Sequence, residues 1–438
     1  MEAAVRKLGI GVQSFKKLRE SGCVYVDKTE YMYRLVQLPT PFFLSRPRRF
    51  GKSLFLSMLR CYWEGEKELF QGLTIEEKLK NDPYAWEPFP VFYFDFNRDN
   101  YSVDGALEKV LDAHLIEWEK QYGRSEDGAT LATRFCNLLV KAREQRGRRC
   151  VVLVDEYDKP LLEVMADEVK VEHNRQVLKG FFSILKSFDD HIQFVFITGV
   201  TKFSQVSIFS DLNNLEDISS DDAFSGICGI TEKELKEYFG PEVAHFSKHS
   251  EMSEEDCYSK LKSTYDGYHF SRQGEGVYNP YSLITALKKC SFDYFWFETG
   301  TPTFLVKMLR KVNFDPALVT DGKIYAGIEE LKDYRTDNPD PVPLLYQSGY
   351  LTIQDYDRET RSCILGYPNE EVKFGFIRSL APQYLGTDEG GRELNLQRFM
   401  NDLRNGDTDS LRDRFREVYA RLPYGSGDYL ERDFQNVI

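Results

Sequence analysis

The sequence predicts an α/β fold: a parallel sheet with helices on both faces, followed by a helical region and a winged-helix-like module. Three observations carry this. From Val24 to Gly229, short continuously apolar runs alternate with helical stretches, the pattern of strands buried on both faces. The first of these runs passes through a basic, glycine-containing loop into a helix. A later one ends abruptly in two adjacent acids, Asp155 and Glu156.

The elements follow in order. Residues 41–45 read as a buried strand, the basic loop follows, and a helix runs from Lys52 to about Trp63. Residues 90–96 form a second strand. Two amphipathic helices come next, one marked by Leu107, Leu111, Leu115 and Trp118, the other by Leu131, Phe135, Leu138 and Ala142, the i, i+3, i+4 spacing of a buried stripe. Residues 151–154 are a third strand, residues 174–188 a helix, residues 194–197 a fourth strand, and residues 225–230 a short fifth. Beyond Thr231, helices are expected over 232–239, 253–265 and 280–289. Residues 343–369 read as a helix, a strand at 350–353, a charged turn and a strand at 362–366, the order of a winged helix. A polar helix is expected over 394–421. No internal repeat or low-complexity segment interrupts the chain.

At 438 residues the chain exceeds what one hydrophobic core supports. The expected division is a nucleotide-binding domain at 1–231, a helical lid or middle region at 232–335, a winged-helix-like and helical region at 336–430, and the start of a further domain at 431–438. Net charge is −13, so broad, sequence-independent coating of nucleic acid is disfavoured. The eight cysteines are scattered with no CxxC pair, which fits reduced, buried thiols better than a zinc or disulfide framework. Residues 1–13 lack the apolar core of a signal peptide, and no run approaches the ~20 apolar residues of a membrane span. A soluble cytoplasmic protein is the expectation.

Arg46-Pro47-Arg48-Arg49-Phe50-Gly51-Lys52-Ser53 occupies the place of GxxxxGK[ST] between a strand and a helix. Such a loop turns backbone amides toward phosphate oxygens at a helix N-terminus. Arg48, Arg49, Phe50 and Gly51 would form the cradle, Lys52 would charge the β- and γ-phosphates, and the Ser53 hydroxyl would reach Mg²⁺. Arg46 stands where the pattern has its first glycine. The second half is Val151-Val152-Leu153-Val154-Asp155-Glu156. Two carboxylates at a buried strand end cost desolvation unless their charge is used. Asp155 is therefore assigned to the metal, through water, and Glu156 to the attacking water. Thr198 ends another buried strand, where a hydroxyl can sense the γ-phosphate; a turn-starting threonine before Gly199 reads equally well. The fold class becomes a P-loop NTPase of the ASCE kind, with ATP and Mg²⁺ as cofactors and an ATPase reaction. Asp27 and Lys28 could border the base, though a helix cap is the simpler reading. No arginine finger stands out.

These residues resemble the signature of the bacterial AAA-ATPase-like family. The resemblance runs through residues 43–53, Asp155-Glu156-Tyr157-Asp158-Lys159-Pro160, Thr198-Gly199-Val200-Thr201-Lys202-Phe203-Ser204, residues 209–215, Tyr265-Asp266-Gly267-Tyr268 and Trp296-Phe297-Glu298-Thr299-Gly300. It covers almost the whole chain, and in that family an arginine at the position of Arg46 is ordinary. The resemblance implies a nucleotide-driven switch and, in many members, a C-terminal PD-(D/E)xK-type nuclease domain. Residues 431–438 look like the start of such a domain, which would be a partner in cis and a route to nucleic acid. No membrane partner is expected, and an oligomer is compatible with the pattern.

Other constellations read as structural. Glu76-Glu77-Lys78 matches ExK by letter but sits in a polar stretch. His245 and His249 are four apart in a polar segment without HExxH. The aromatics at 265–270 and 294–296 read as packing between regions, since few cations accompany them. Two other readings stand beside the ATPase: a nucleotide-binding scaffold with little or no hydrolysis, and a nucleic-acid-binding protein acting through the winged-helix-like segment. A small-molecule kinase ranks below both, since Glu156 suits water better than a substrate hydroxyl.

Overall fold

The structure is a computed structural model. It describes residues 6–125, 130–202, 208–212, 214–298, 305, 309, 312, 314, 317–320, 324–332, 340–385, 401–402, 405–410 and 412–413.

Two short helices, α1 (Phe15–Glu20) and α2 (Thr29–Val36), precede the first strand, β1 (Phe42–Ser45). α3 (Lys52–Trp63) follows it directly, then α4 (Thr74–Lys78) and β2 (Val91–Asp95). The amphipathic pair α5 (Ala106–Tyr122) and α6 (Leu131–Arg146) leads to β3 (Cys150–Asp155). Next come α7 (Lys159–Leu162), α8 (Glu168–Phe182), α9 (Ile184–Ser187), β4 (Ile192–Gly199) and β5 (Glu216–Asp217). The five strands form one parallel sheet in the order β2-β3-β4-β1-β5, with helices on both faces: a P-loop α/β fold. β1, β3 and β4 are buried along their whole length except Gln193, which is why they read as apolar runs without alternation. Leu44 is level with Thr198, and Asp95 with Asp155. The parallel register therefore gathers the carboxyl ends of β1, β3 and β4 at one edge, where open α/β sheets bind ligands.

The fifth strand is a correction. Residues 225–229 are turns, not a sheet strand: Gly229 holds φ at +97° and its N–H donates to the Phe50 carbonyl. The strand beside β1 is β5, two polar residues with no apolar run to announce it. β6 (Ile230–Thr231) instead pairs antiparallel with β7 (Val277–Tyr278). Helix Glu232–His249 opens on a capping box, Thr231 with Glu234. It runs past Gly240-Pro241, where the sequence suggested an end, because Leu235, Phe239, Val243 and Phe246 keep one buried face through the interruption. Helices Glu254–Tyr265 and Pro280–Lys289 pack with it around a separate apolar cluster. Similarly, α8 starts earlier than expected, at an Asp167 cap.

Farther on, helix Pro341–Gln347 is followed by β9 (Thr352–Asp357) and β10 (Ser362–Gly366), while β8 (Ile324–Gly327) completes a three-stranded antiparallel sheet in the order β8-β10-β9. A helix and this small sheet are what the structure shows where a winged-helix-like module was expected. Most of the 394–421 helix, all of 431–438, and Phe203, Ser204, Asn213, Thr299 and Gly300 of the resemblance lie outside the described residues.

Candidate functional site

The loop between β1 and α3 is built by two left-handed residues. Arg49 has φ +69° and Gly51 φ +95°; the second lets the chain turn directly into α3, whose first residue is Lys52. The Lys52 ammonium is buried and donates to the carbonyls of Arg46 at 2.9 Å and Pro47 at 3.1 Å, so the lysine spans the loop it belongs to. Arg46 points the other way. Its guanidinium donates to the carbonyls of Ser45, Ser219 and Phe224 at 2.9, 2.7 and 3.2 Å and lies over the Phe270 ring. Thus the residue in the first-glycine position is a buried brace beneath the loop.

The acidic strand end is held from both sides. Asp155 is buried; Thr198 donates its hydroxyl to Oδ1 at 2.8 Å, and the Tyr93 hydroxyl donates to Oδ2 at 3.1 Å. Burial, and next the charge of Glu156, push the Asp155 carboxyl above the ordinary carboxylate range, against the pull of Ser53, Thr198 and Lys52. Glu156 takes φ +53°, a left-handed conformation uncommon outside glycine, and is half-buried. Backbone strain of this kind concentrates where a side chain must be aimed. Behind it, Asp158 is fully buried and accepts from the Val200 and Thr201 N–H groups and the Thr201 hydroxyl. Tyr157 packs on Phe43 and Phe209, and its hydroxyl donates to the Thr201 carbonyl. A Cβ at Gly199 would lie 2.6 Å from the Tyr157 ring, which explains the glycine.

A cleft of about 470 Å³ opens over this edge. Arg48, Arg49, Phe50, Gly51, Lys52, Ser53 and Glu156 all line it, and Lys159 and Glu163 continue its wall. Thr198 and Asp155 are not among the residues that line it; both are buried at the strand ends, joined by the Thr198 hydroxyl's hydrogen bond. Phe50 borders the cleft while its ring is buried edge-on against Tyr268 and Phe270, with centroids 4.7 and 5.4 Å away. Arg48 and Arg49 are exposed, and Arg49 lies over the Tyr281 ring. Oxygen donors are what Mg²⁺ takes, and Ser53 at the start of α3 and Asp155 at the end of β3 are two such side chains.

The other end of the cleft was not foreseen. Its wall comes from Gly9, Gly11, Val12 and Gln13, from residues 24–26 and Lys28, and from Phe239, Tyr281 and Ile284 of the helical region. No motif marks these residues, because a largely apolar wall needs shape and no particular side-chain chemistry. Tyr93 likewise carried no signal beyond its place in a strand. Asp27 caps: it accepts from Thr29 N–H and, through its other oxygen, from Thr74 N–H. Lys28 lines the cleft, but its ammonium is engaged by Glu234 and the Gly226 carbonyl. His245 and His249 are exposed on their helix. Glu76 caps the Gly72 N–H, and Lys78 pairs with Glu30.

The 265–270 and 296 aromatics reach the phosphate loop. Besides the Phe50 contacts, Trp296 donates its indole N–H to the Arg48 carbonyl at 3.3 Å. A Cβ on Gly349, at φ +87°, would lie 2.7 Å from the Pro47 ring, so the turn after helix Pro341–Gln347 is pressed against the loop as well. Three elements downstream of the sheet thus touch Pro47, Arg48 and Phe50.

Residues 9–209 match the AAA-ATPase-like family, described as predicted AAA-ATPase. The chain is 36% identical over 432 residues to an uncharacterized protein in the vnfD 5' region of Azotobacter chroococcum mcd 1, covering 96% of this chain and 78% of that protein. Among the described residues no helix is long and apolar enough to cross a membrane.

Proposed function

This chain belongs to the AAA-ATPase-like family, and from that premise we propose that it binds Mg·ATP and hydrolyses it to ADP and phosphate, using the cycle as a conformational switch. The observation that carries the reading is convergence: Lys52, Ser53 and Glu156 line one cleft and Asp155 stands at the same sheet edge. Residues of these types recur together where a nucleotide's γ-phosphoryl group is bound and transferred. The domains of this reading are 1–231 for the ATPase, 232–335 for the helical lid and 336–430 for the winged-helix-like region.

In the bound state the amides around Gly51 receive the phosphates at the α3 N-terminus. Lys52 exchanges its two loop carbonyls for β- and γ-phosphate oxygens, a stronger charge-assisted contact. Ser53 and Asp155 would hold a magnesium ion, which would supply positive charge against the negative charge of the phosphates. Tyr93 and Thr198 fix the plane of the Asp155 carboxylate. Glu156, aimed by its left-handed backbone, orients a water molecule and takes its proton as the water oxygen bonds to the γ-phosphorus. The bond from that phosphorus to the bridging oxygen breaks, and its electron pair leaves on ADP.

The contacts of Gly349, Trp296, Tyr268 and Phe270 with the loop support the switch. A change in loop geometry on phosphate binding has to move or strain them. The partner that the resemblance suggests is a nuclease-like domain in cis, with nucleic acid reached through it. The test is phosphate release by the purified protein with Mg·ATP, compared with Lys52→Ala and Glu156→Gln. Release in the parent and in neither variant supports the reading; no release under any condition favours a nucleotide-binding scaffold.

A further inference from the structure

We propose that Lys159 is a catalytic residue: its ammonium contacts the γ-phosphoryl group during transfer and supplies in cis the charge that an arginine finger supplies elsewhere. This rests on the nucleotide site proposed above and adds a residue to it. Phosphoryl transfer spreads negative charge over the equatorial oxygens of the moving group, and a second cation there is worth much more in the transition state than in the bound substrate.

Four observations point to Lys159. It follows Glu156 by three residues, and its N–H donates to the Glu156 carbonyl at 3.0 Å, so the general base and this ammonium spring from one turn. Its side chain lines the same cleft as Lys52, Ser53 and Glu156. The backbone beneath it is pinned: Asp158 is buried among three donors, and Asn174 donates to the Pro160 carbonyl at 2.8 Å. A fixed origin is what electrostatic preorganisation needs. Lastly, the ammonium is loosely held. Its contacts are the Asn97 carbonyl at 3.3 Å and the Glu163 carboxylate at 3.5 Å. By contrast, Lys28 sits 2.6 Å from Glu234, Lys202 sits 2.5 Å from Asp217, and Arg49 lies over Tyr281. Of these cations Lys159 gives up least by turning to a phosphate.

In the step, water oxygen bonds to the γ-phosphorus, Glu156 takes the proton, and the bridging-oxygen bond to phosphorus breaks onto ADP. Lys159 keeps its protons and contributes charge only. The competing account is a structural staple, in which Lys159 and Glu163 tie α7 to the turn at Asn97.

The test compares binding of Mg·ADP with and without aluminium tetrafluoride, a planar mimic of the transferring group, by the full chain. The variants are Lys159→Met, Lys159→Arg and Glu163→Gln. The expected result is that Lys159→Met binds Mg·ADP like the parent but loses at least about 100-fold in the fluoride-dependent gain and in turnover. Lys159→Arg should recover part of both, and Glu163→Gln should keep the gain. Equal losses for Lys159→Met and Glu163→Gln, matched by equal falls in melting temperature, would establish the staple and overturn the proposal. An unchanged fluoride-dependent gain in Lys159→Met would overturn it too. Failure of the nucleotide site itself has a different signature, because Lys52→Ala would then bind Mg·ADP as tightly as the parent.

Discussion

The Tyr93 hydroxyl donates to Oδ2 of Asp155 at 3.1 Å, from the neighbouring strand of the parallel sheet. With Thr198 on the other oxygen, the carboxylate has a donor on each side and cannot rotate without losing one. Removing the Tyr93 hydroxyl as Tyr93→Phe should free it. Loss of one hydrogen bond is worth about 1 kcal/mol, or roughly fivefold in the affinity for Mn²⁺ in the presence of ADP. Paramagnetic-resonance titration of free Mn²⁺ measures this directly, and an unchanged affinity would make Tyr93 a bystander.

Lys52→Ala should weaken Mg·ATP binding by more than about tenfold, since a charge-assisted contact in a desolvated site contributes on the order of 2–4 kcal/mol. Calorimetry reads the affinity. The lysine also holds the buried Arg46 and Pro47 carbonyls, so thermal melting of the variant, read beside its affinity, separates loss of the site from loss of the fold.

Glu156→Gln preserves the shape of the side chain and removes the base. ATP should still bind, while turnover falls at least about 100-fold. A variant that hydrolyses like the parent would transfer the role of base to another group. A variant that no longer binds ATP would mean that the left-handed backbone at 156, not the carboxylate, is what the substitution disturbs.

Legibility followed the physics of each feature. β1, β3 and β4 could be read because near-complete burial forces apolar residues along most of their length, and the phosphate loop because its chemistry admits few residue types. The parallel sheet with helices on both faces came with them. β5 could not be read: Glu216 and Asp217 pair through the backbone alone at the sheet's edge. Nor could Tyr157, Asp158 and Gly199, whose meaning is mutual contact across two strands. The helix that starts at Glu232 was expected to end at Phe239, and it continues through Pro241 because a buried face outweighs a local breaker. The aromatics at 268, 270 and 296 were legible as packing, but that they pack on the phosphate loop is a fact of topology alone.

The last prediction concerns Arg46, where the usual loop has glycine. Restoring the glycine, as Arg46→Gly, should destabilise the protein by at least about 3 kcal/mol. Opposing effects must be weighed. A buried guanidinium costs desolvation of several kcal/mol, and the neighbouring Asp217 is committed to Lys202, so removing the charge gives something back. Against that, the substitution leaves the Ser219 and Phe224 carbonyls without this donor, at about 1–3 kcal/mol each if buried and unpaired. It also empties the space beneath Phe270, and a cavity left by a large side chain adds a cost of the same size. Glycine loosens the unfolded loop as well, by roughly 0.5–1 kcal/mol. These costs together exceed the recovered desolvation. Arg46→Met separates them, since it fills much of the volume but restores no donor. The expected order of denaturation midpoints is parent, then Arg46→Met, then Arg46→Gly. If Arg46→Gly unfolds at or above the midpoint of the parent, the guanidinium is a net burden to the fold and its retention must be explained by the nucleotide cycle instead.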